Sequence, residues 1–188
     1  MVLWMLERVI QAARQAGFPV WVVGGDEPVA RFCQRPGMRW LHDVGGLNPS
    51  VRAALYQGAA SGYSAALVVA ADVPLVEPED LRELARAVAA PGTVALVPSP
   101  DGGTNAMGQA LPPAVEPSFG PGSYRRHRAS AEDAGLQVVT LELSRLAWDV
   151  DTPEDLLRLR QRGLVPAPLS RAWKAAGESR GTTGADPA

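Results

Sequence analysis

Lysine is almost missing from this chain: of its 18 cationic residues, all but Lys174 are arginine. A nucleotide loop of the Gly-x-x-x-x-Gly-Lys type needs a lysine at its end, so that class is excluded at the outset. Cysteine is as scarce. Cys33 stands alone, without the partner a disulfide needs or the neighbours a thiolate metal site needs, and reads as a small buried hydrophobe of a cytoplasmic protein. The histidines are His42 and His127; neither has a partner at ligand spacing, and both read as packed or solvated side chains without an assigned role. No Gly-x-Ser-x-Gly turn and no serine, cysteine and histidine set suggests acyl transfer. Positive charge is not in excess either. A net charge of −2 and a pI near 5.7 offer no basic surface for nucleic acid. No apolar run approaches the ~20 residues that cross a bilayer. The N-terminus also lacks a basic segment followed by an apolar run and a small-residue cleavage site, so a cytoplasmic protein without a membrane partner is expected.

What is present is ordinary in bulk and specific in detail. With 188 residues, 46% of them apolar and 20% charged, the chain suits one domain with a full hydrophobic core. Its most informative stretch is Ala147-Trp-Asp-Val-Asp-Thr-Pro-Glu-Asp-Leu156. Residues two apart share a face of a strand, so Asp149 and Asp151 at the end of a strand would point the same way. Thr152 then reads as an N-cap, Pro153 as the first helical residue and Asp155 as the capping-box acid. Like charges held together repel, and a fold keeps such a pair when a cation or a hydrogen-bond network offsets the repulsion. The plan recurs at Ala66–Ala71, an unbroken apolar run that suits a buried parallel strand. Asp72-Val-Pro-Leu and a helix opening at Glu77-Pro-Glu-Asp-Leu81 follow it. Asp72 falls at the carboxyl end of that strand, where open α/β sheets bind ligands. The competing reading is that Pro-Glu-Asp-Leu is only a common helix opening and that the aspartates cap turns.

In order, a helix is expected over Leu3–Ala16, a strand over Phe18–Val23, a helix near Pro28–Gln34, a strand near Met38–Leu41 and a helix from Pro49 to Ser61. This βαβ rhythm implies a parallel sheet with right-handed crossovers. After the Asp72 strand come a helix to about Ala89 and a strand at Thr93–Val97. The turn-rich Pro98–Asn105 and a region without periodicity follow. Phe119-Gly-Pro-Gly-Ser123 precedes a helix to about Ala134. Its free N–H groups, the positive end of its dipole and its arginines make it a candidate anion cradle. Leu136–Leu143 reads as a strand that could be antiparallel, and Leu146–Val150 as the strand leading to the paired aspartates. The helix from Pro153 ends near Gly163. Residues 164–188 are expected to form a loose tail, in which a short helix over Leu169–Ala176 could dock on the domain or a partner subunit through Trp173.

Three aspartates at strand ends, glycine-rich loops and a helix start with arginines fit a metal ion that handles phosphates. Magnesium prefers oxygen ligands, keeps some water and commonly joins one or two carboxylates to substrate phosphate oxygens. Asp72, Asp149 and Asp151 would supply those carboxylates.

The motifs Asp72-Val-Pro-Leu, Gly103-Thr-Asn105, Phe119-Gly-Pro-Gly-Ser123 with His127 downstream, and Asp149-Val-Asp-Thr-Pro-Glu-Asp-Leu156 together resemble the guanylyltransferases of coenzyme F420 biosynthesis. The resemblance covers about Leu3 to Gly163. It implies a nucleotidyltransferase-like domain over residues 1–163, of α/β class, with a three-layer, mostly parallel sheet of the nucleotide-diphospho-sugar-transferase type. It further implies transfer of GMP from GTP to phosphoenolpyruvate or 2-phospho-L-lactate with release of diphosphate. By the same resemblance Asp72, Asp149 and Asp151 hold magnesium, Thr104, Gly120 and Ser123 bind the acceptor acid, and Gly46-Leu47-Asn48 lies near the guanine nucleotide. Family members begin with a strand and a Lys/Arg-bearing loop, whereas this chain starts inside the helix that follows, as if lacking the first strand. Either the start codon was placed too late, which is the expectation, or the chain lacks that strand and much of its grip on GTP. The alternatives are another magnesium-dependent nucleotidyl- or glycosyltransferase, or an inactive binding partner of other pathway enzymes. The chain is also compatible with a homo-oligomer.

Overall fold

The computed structural model describes residues 1–24, 26–35 and 38–165. Two compact units are distinguished, one running Val2–Asp149 and one taking in Met1 and the chain from Val150.

In the first unit, α1 (Val2–Gln15) places Leu6 and Ile10 on one side and Val9 and Ala12 on another, the three- and four-residue spacing that aligns side chains along a helix. It stops at Gly17, whose φ of 93° is the left-handed conformation that glycine adopts without strain. Next, β1 (Trp21–Val23) pairs in parallel with β2 (Arg39–Leu41). The crossover between them carries α2 (Glu27–Cys33), whose N-cap Asp26 accepts from Val29 N–H at 3.1 Å. Leu6, Ile10, Val22 and Cys33 pack together as a small core, so the lone thiol is the buried filler the sequence suggested. Burial pushes its pKa up and so suppresses the reactive thiolate.

The main sheet is built from β3 (Ala65–Val69), β4 (Thr93–Pro98), β5 (Thr104–Ala110) and β6 (Gln137–Thr140), in the order β3-β5-β4-β6. Because β5 is antiparallel to both β3 and β4 while β6 is parallel to β4, β3, β4 and β6 share one direction and β5 alone opposes them. Alternation along β4 divides the core. Ala95 and Val97 face Val9, Leu81, Leu84 and Leu146, which come from α1, from α4 (Pro78–Ala87) and from α6 (Ser144–Ala147). Val94 and Leu96 face Ala131 of α5 (Ser123–Asp133). Helices therefore cover both faces, the three-layer α/β arrangement expected.

Three local expectations are corrected. Thr104–Ala110 is not an irregular stretch but the central strand β5, buried along nearly its whole length. Its sequence shows no alternation because it is covered on both faces and paired on both edges. Gly108 belongs to the same packing, since a Cβ there would meet Val88 Cγ1 at 2.9 Å and Leu67 Cδ2 at 3.0 Å. The strand whose direction the sequence left open as antiparallel, β6, is parallel to β4 and shorter than Leu136–Leu143. Leu146–Val150 is not a strand: Ser144–Ala147 forms α6, and Trp148 then turns extended at φ −97° and ψ 111°. Burial of Leu146 and the hold of Arg145 on Asp80 outweigh the local apolar pattern there.

In the second unit, α7 (Pro153–Gln161) opens with the capping box read from the sequence. Thr152 Oγ1 accepts from Asp155 N–H at 3.2 Å, and Asp155 Oδ2 accepts from Thr152 N–H at 3.1 Å. The expected helix at Leu169–Ala176 and its Trp173 lie outside the described residues. Among the described residues no helix is long and apolar enough to cross a membrane.

Candidate active site

The loops singled out by the sequence are tied together by named bonds. At the edge of β5, the turn 99–103 is shaped by Asp101, which accepts from Gly103 N–H at 3.0 Å and from the Ser99 hydroxyl. The Ser99 bond first, then the Gly103 amide, hold the Asp101 carboxyl below its usual range. A side chain on Gly103 would meet Ser99 Oγ at 2.5 Å, so this turn accepts only glycine without rearrangement. Tyr124 N–H donates to Gly102 O at 3.3 Å, which binds the turn to the start of α5.

Thr104, the first residue of β5, is where the network converges. Its Oγ1 accepts from Ser123 Oγ at 3.0 Å and lies 3.1 Å from His127 Nδ1. Ser123 and His127 are fully buried and Thr104 is 7% exposed. Thr104 and Ser123, which lie in different motifs of the sequence and were assigned to the same acceptor, share one hydrogen bond. His127, given no role there, belongs to the same cluster. Burial, followed by the nearby Arg126 charge, drives its pKa down to about 4, so it is neutral at ordinary pH. Gly120 turns at φ 116° and accepts from Ser123 N–H at 3.0 Å. The cradle differs from expectation in its donors. The first two amides of α5 are engaged by Gly120 and Gly102. Arg126 straps the Ser118 and Pro121 carbonyls at 2.7 and 2.6 Å, and Arg128 pairs with Glu132 at 2.8 Å. Two arginines are therefore spent on the loop and its helix.

The Gly46-Leu47-Asn48 segment is the first turn of α3 (Leu47–Ala60), with Gly46 as its N-cap at φ 106°. Asp43, which the sequence reading passed over, organises it by accepting from Gly45 N–H at 2.9 Å, Gly46 N–H at 2.6 Å and Ser50 Oγ at 2.9 Å. These bonds, that from Gly46 foremost, hold the Asp43 carboxyl below its usual range. The detectable signal was an aspartate two residues before a Gly-Gly pair, the pattern of an Asx turn. Asn48 clamps the opposite loop: its Oδ1 accepts from Phe119 N–H at 2.7 Å and its Nδ2 donates to Phe119 O at 3.1 Å. Two segments assigned separately from the sequence, 46–48 and 119–123, are neighbours. Leu47 points outward, 60% exposed.

Asp72 and Asp149 are held through one residue. Asn105 accepts Ala70 N–H on its backbone carbonyl at 2.8 Å and donates from Nδ2 to Ala147 O at 2.8 Å. Each aspartate lies two residues beyond one of these anchors. On its far side Asp72 is fixed by Val73, which is fully buried. Asp149 follows α6, whose Leu146 is fully buried and whose Arg145 grips Asp80 at 2.6 and 2.9 Å. Both aspartates are half-buried and neither lacks an interaction partner. Asp151, in the segment from Val150, is exposed. Among the described residues no group of three or more histidine, cysteine, aspartate or glutamate side chains is arranged to hold a metal ion. Carboxylate oxygens are the donor type magnesium prefers, and that ion keeps several waters and takes the rest of its shell from substrate phosphates.

Residues 4–163 match the MobA-like NTP transferase domain. The chain belongs to this family. Among curated relatives, the phosphoenolpyruvate guanylyltransferase of Rubrobacter xylanophilus is 39% identical over 168 residues, covering 87% of this chain and 81% of that protein. The 2-phospho-L-lactate guanylyltransferase of Halobacterium salinarum is 39% identical over 153 residues, 81% of this chain and 68% of that protein. The 3-phospho-D-glycerate guanylyltransferase of Phenylobacterium zucineum is 29% identical over 184 residues, 93% of this chain and 84% of that protein. A nucleotide-diphospho-sugar transferase structure from Desulfovibrio desulfuricans superposes with a TM-score of 0.63 at 18% identity, covering 73% of this chain and 64% of that one. That likeness establishes the fold alone. As a member of the NTP transferase family the chain is an enzyme of the nucleotidyltransferase type.

Proposed function

We propose that this nucleotidyltransferase moves GMP from GTP to a small phosphorylated carboxylic acid, with phosphoenolpyruvate as the first candidate and 2-phospho-L-lactate as the second, in the route to coenzyme F420 in the cytoplasm. Support comes from relatives named for these reactions, matched over most of both chains. The observation that carries the reading is the Asn48–Phe119 clamp. It joins the loop assigned to the nucleotide to the loop assigned to the acceptor, and a group transfer needs its two substrates held in contact.

In this reading Gly46, Leu47 and Asn48 border the guanine nucleotide, and Thr104, Gly120 and Ser123 form the acceptor end, with Ser123 acting through its hydrogen bond to Thr104. An oxygen of the acceptor phosphate forms a bond to the α-phosphorus of GTP while the bond from that phosphorus to the β-phosphate oxygen breaks, and diphosphate leaves. The attacking oxygen is already ionised, so no general base is required of the chain. What the residues must do is align the two phosphates and offset their charge. Asp72 and Asp149 are proposed to hold magnesium. That ion would supply electrostatic stabilisation of the phosphates.

The test is diphosphate release from each nucleoside triphosphate in the presence of phosphoenolpyruvate, 2-phospho-L-lactate or 3-phospho-D-glycerate and magnesium. GTP with one of the first two acids is expected to give turnover. Turnover with CTP but not GTP would overturn the nucleotide assignment. Turnover with 3-phospho-D-glycerate alone would overturn the acceptor.

A further inference from the structure

His127 is a buried titratable group for which the proposed reaction has no direct use, and its bonds determine the polarity of its neighbour. Ser118 N–H donates to His127 Nε2 at 2.9 Å. A ring nitrogen that accepts a hydrogen bond carries no proton, so the neutral imidazole bears its proton on Nδ1. Nδ1 faces Thr104 Oγ1 at 3.1 Å and therefore donates to it. Ser123 Oγ donates to the same oxygen at 3.0 Å. A hydroxyl oxygen has two lone pairs and one proton. Both lone pairs of Thr104 are taken, and its own O–H is left able only to donate.

We infer that His127 is a positioning residue that, together with Ser123, makes Thr104 an obligate hydrogen-bond donor suited to an anionic oxygen of the acceptor. The inference rests on the proposed role of Thr104 and assigns the physical cause of its selectivity. A hydroxyl free to rotate can accept from a ligand O–H as readily as it donates. A hydroxyl whose lone pairs are filled meets such a group only with a lost bond, and it meets an ionised phosphate or carboxylate with a charge-assisted one. Phe119 packs edge-on against the His127 ring at a centroid distance of 4.8 Å. The loop that carries Gly120 thus also holds the imidazole in the orientation that points Nδ1 at Thr104.

Two measurements test this. Nitrogen-15 NMR of histidine-labelled wild-type protein reads the tautomer directly, without substrate. The Nδ1–H form is expected, and a protonated Nε2 would overturn the inference whatever the enzyme's substrate. Steady-state kinetics then separate polarity from mere support. In His127→Asn the amide N–H takes the place of Nδ1–H, whereas in His127→Gln the amide sits further out and loses that donor. His127→Asn is expected to raise the acceptor KM by no more than about threefold, and His127→Gln and Thr104→Val by about tenfold or more, corresponding to roughly one lost hydrogen bond. The KM for GTP should stay within about twofold in all three. Equal acceptor KM in the Asn and Gln variants, or acceptor and GTP KM rising together, would reduce His127 to structural support. If the wild-type enzyme turned over no combination of nucleotide and acid, the proposed reaction would fail, and the NMR result would still decide the polarity of Thr104.

Discussion

Replacing Asn105 by alanine tests how the two half-buried aspartates are held. The backbone bond from Ala70 N–H to Asn105 O survives the substitution, while the bond from Nδ2 to Ala147 O is lost. Asn105 is 5% exposed, so the Ala147 carbonyl loses its partner where water has little access. An unsatisfied buried acceptor costs about 1–3 kcal/mol. Ala147 itself is half-buried, which places the expected loss in the lower part of that range, about 1–2 kcal/mol. For a chain of this size, that corresponds to a fall in Tm of about 2–8 °C.

The effect on catalysis should be disproportionate. Asp149 hangs from the segment that this bond fixes, and a misplacement near 1 Å at a reacting centre can cost about a hundredfold in rate. A kcat/KM for diphosphate release reduced about tenfold to a hundredfold is expected, with a higher magnesium concentration needed for half-maximal rate. Thermal melts and rates across a magnesium titration provide the check, at a temperature where the variant is fully folded. If Tm falls but both the rate and the magnesium dependence match wild type, Asn105 is a scaffold residue and the link to the aspartates is refuted. An unchanged Tm would refute the bond itself.

Two further outcomes follow from buried charge. The folded pKa of His127, about 4, lies below its ordinary value of 6.5, so the unfolded chain binds the extra proton first. Stability is complete above about pH 6.5 and is lost as pH falls toward 4, by up to about 3 kcal/mol at 1.36 kcal/mol per unit. Denaturant midpoints should drop across that window in wild type and less in His127→Asn, and parallel curves would show that another group is responsible. Arg145→Met should strand Asp80, whose side chain is 3% exposed and which otherwise keeps the Glu77 N–H at 2.9 Å. Breaking a buried pair costs about 3–5 kcal/mol, but Arg145 is half exposed, so about 2 kcal/mol is expected after solvent screening. Equilibrium unfolding measures this, with Asp80→Asn in the same chain recovering part of the loss. A change below about 0.5 kcal/mol would mark the pair as a surface interaction.

The order of elements up to β4 was legible because each carries its own signal. α1 has helical spacing and a glycine stop, α2 has an aspartate cap, and β3 is an apolar run too short for a helix. Legibility ended where tertiary partners decide. In β5, Thr-Asn-Ala-Met-Gly-Gln-Ala has little intrinsic strand preference, and its state is set by β3 on one edge and β4 on the other. In α6 the apolar residues suggested a strand. A helical turn puts Leu146 into the core and Arg145 onto Asp80 at the same time, and no four-residue window contains that information.

The candidate site divides in the same way, and the repeated Pro-Glu-Asp-Leu shows why. The sequence allowed two readings of it, a helix opening or part of a metal site. In the structure the acid at the third helical position is spent on the cap in both copies: Asp80 accepts from Glu77 N–H at 2.9 Å and Asp155 from Thr152 N–H at 3.1 Å. The opening is therefore a cap in both places, and any ligand role falls on the aspartates that precede it. The residues proposed for the site, such as Asp72, Thr104 and Asp149, could be named from sequence because carboxylates and hydroxyls are the side chains that metal and phosphate binding call for. Asn105 and His127 act on those residues from elsewhere in the chain: Asn105 reaches Ala147 across 42 positions and His127 reaches Thr104 across 23. Their bonds depend on strand register and helix placement, so both residues stood within motifs of the sequence without an assigned role.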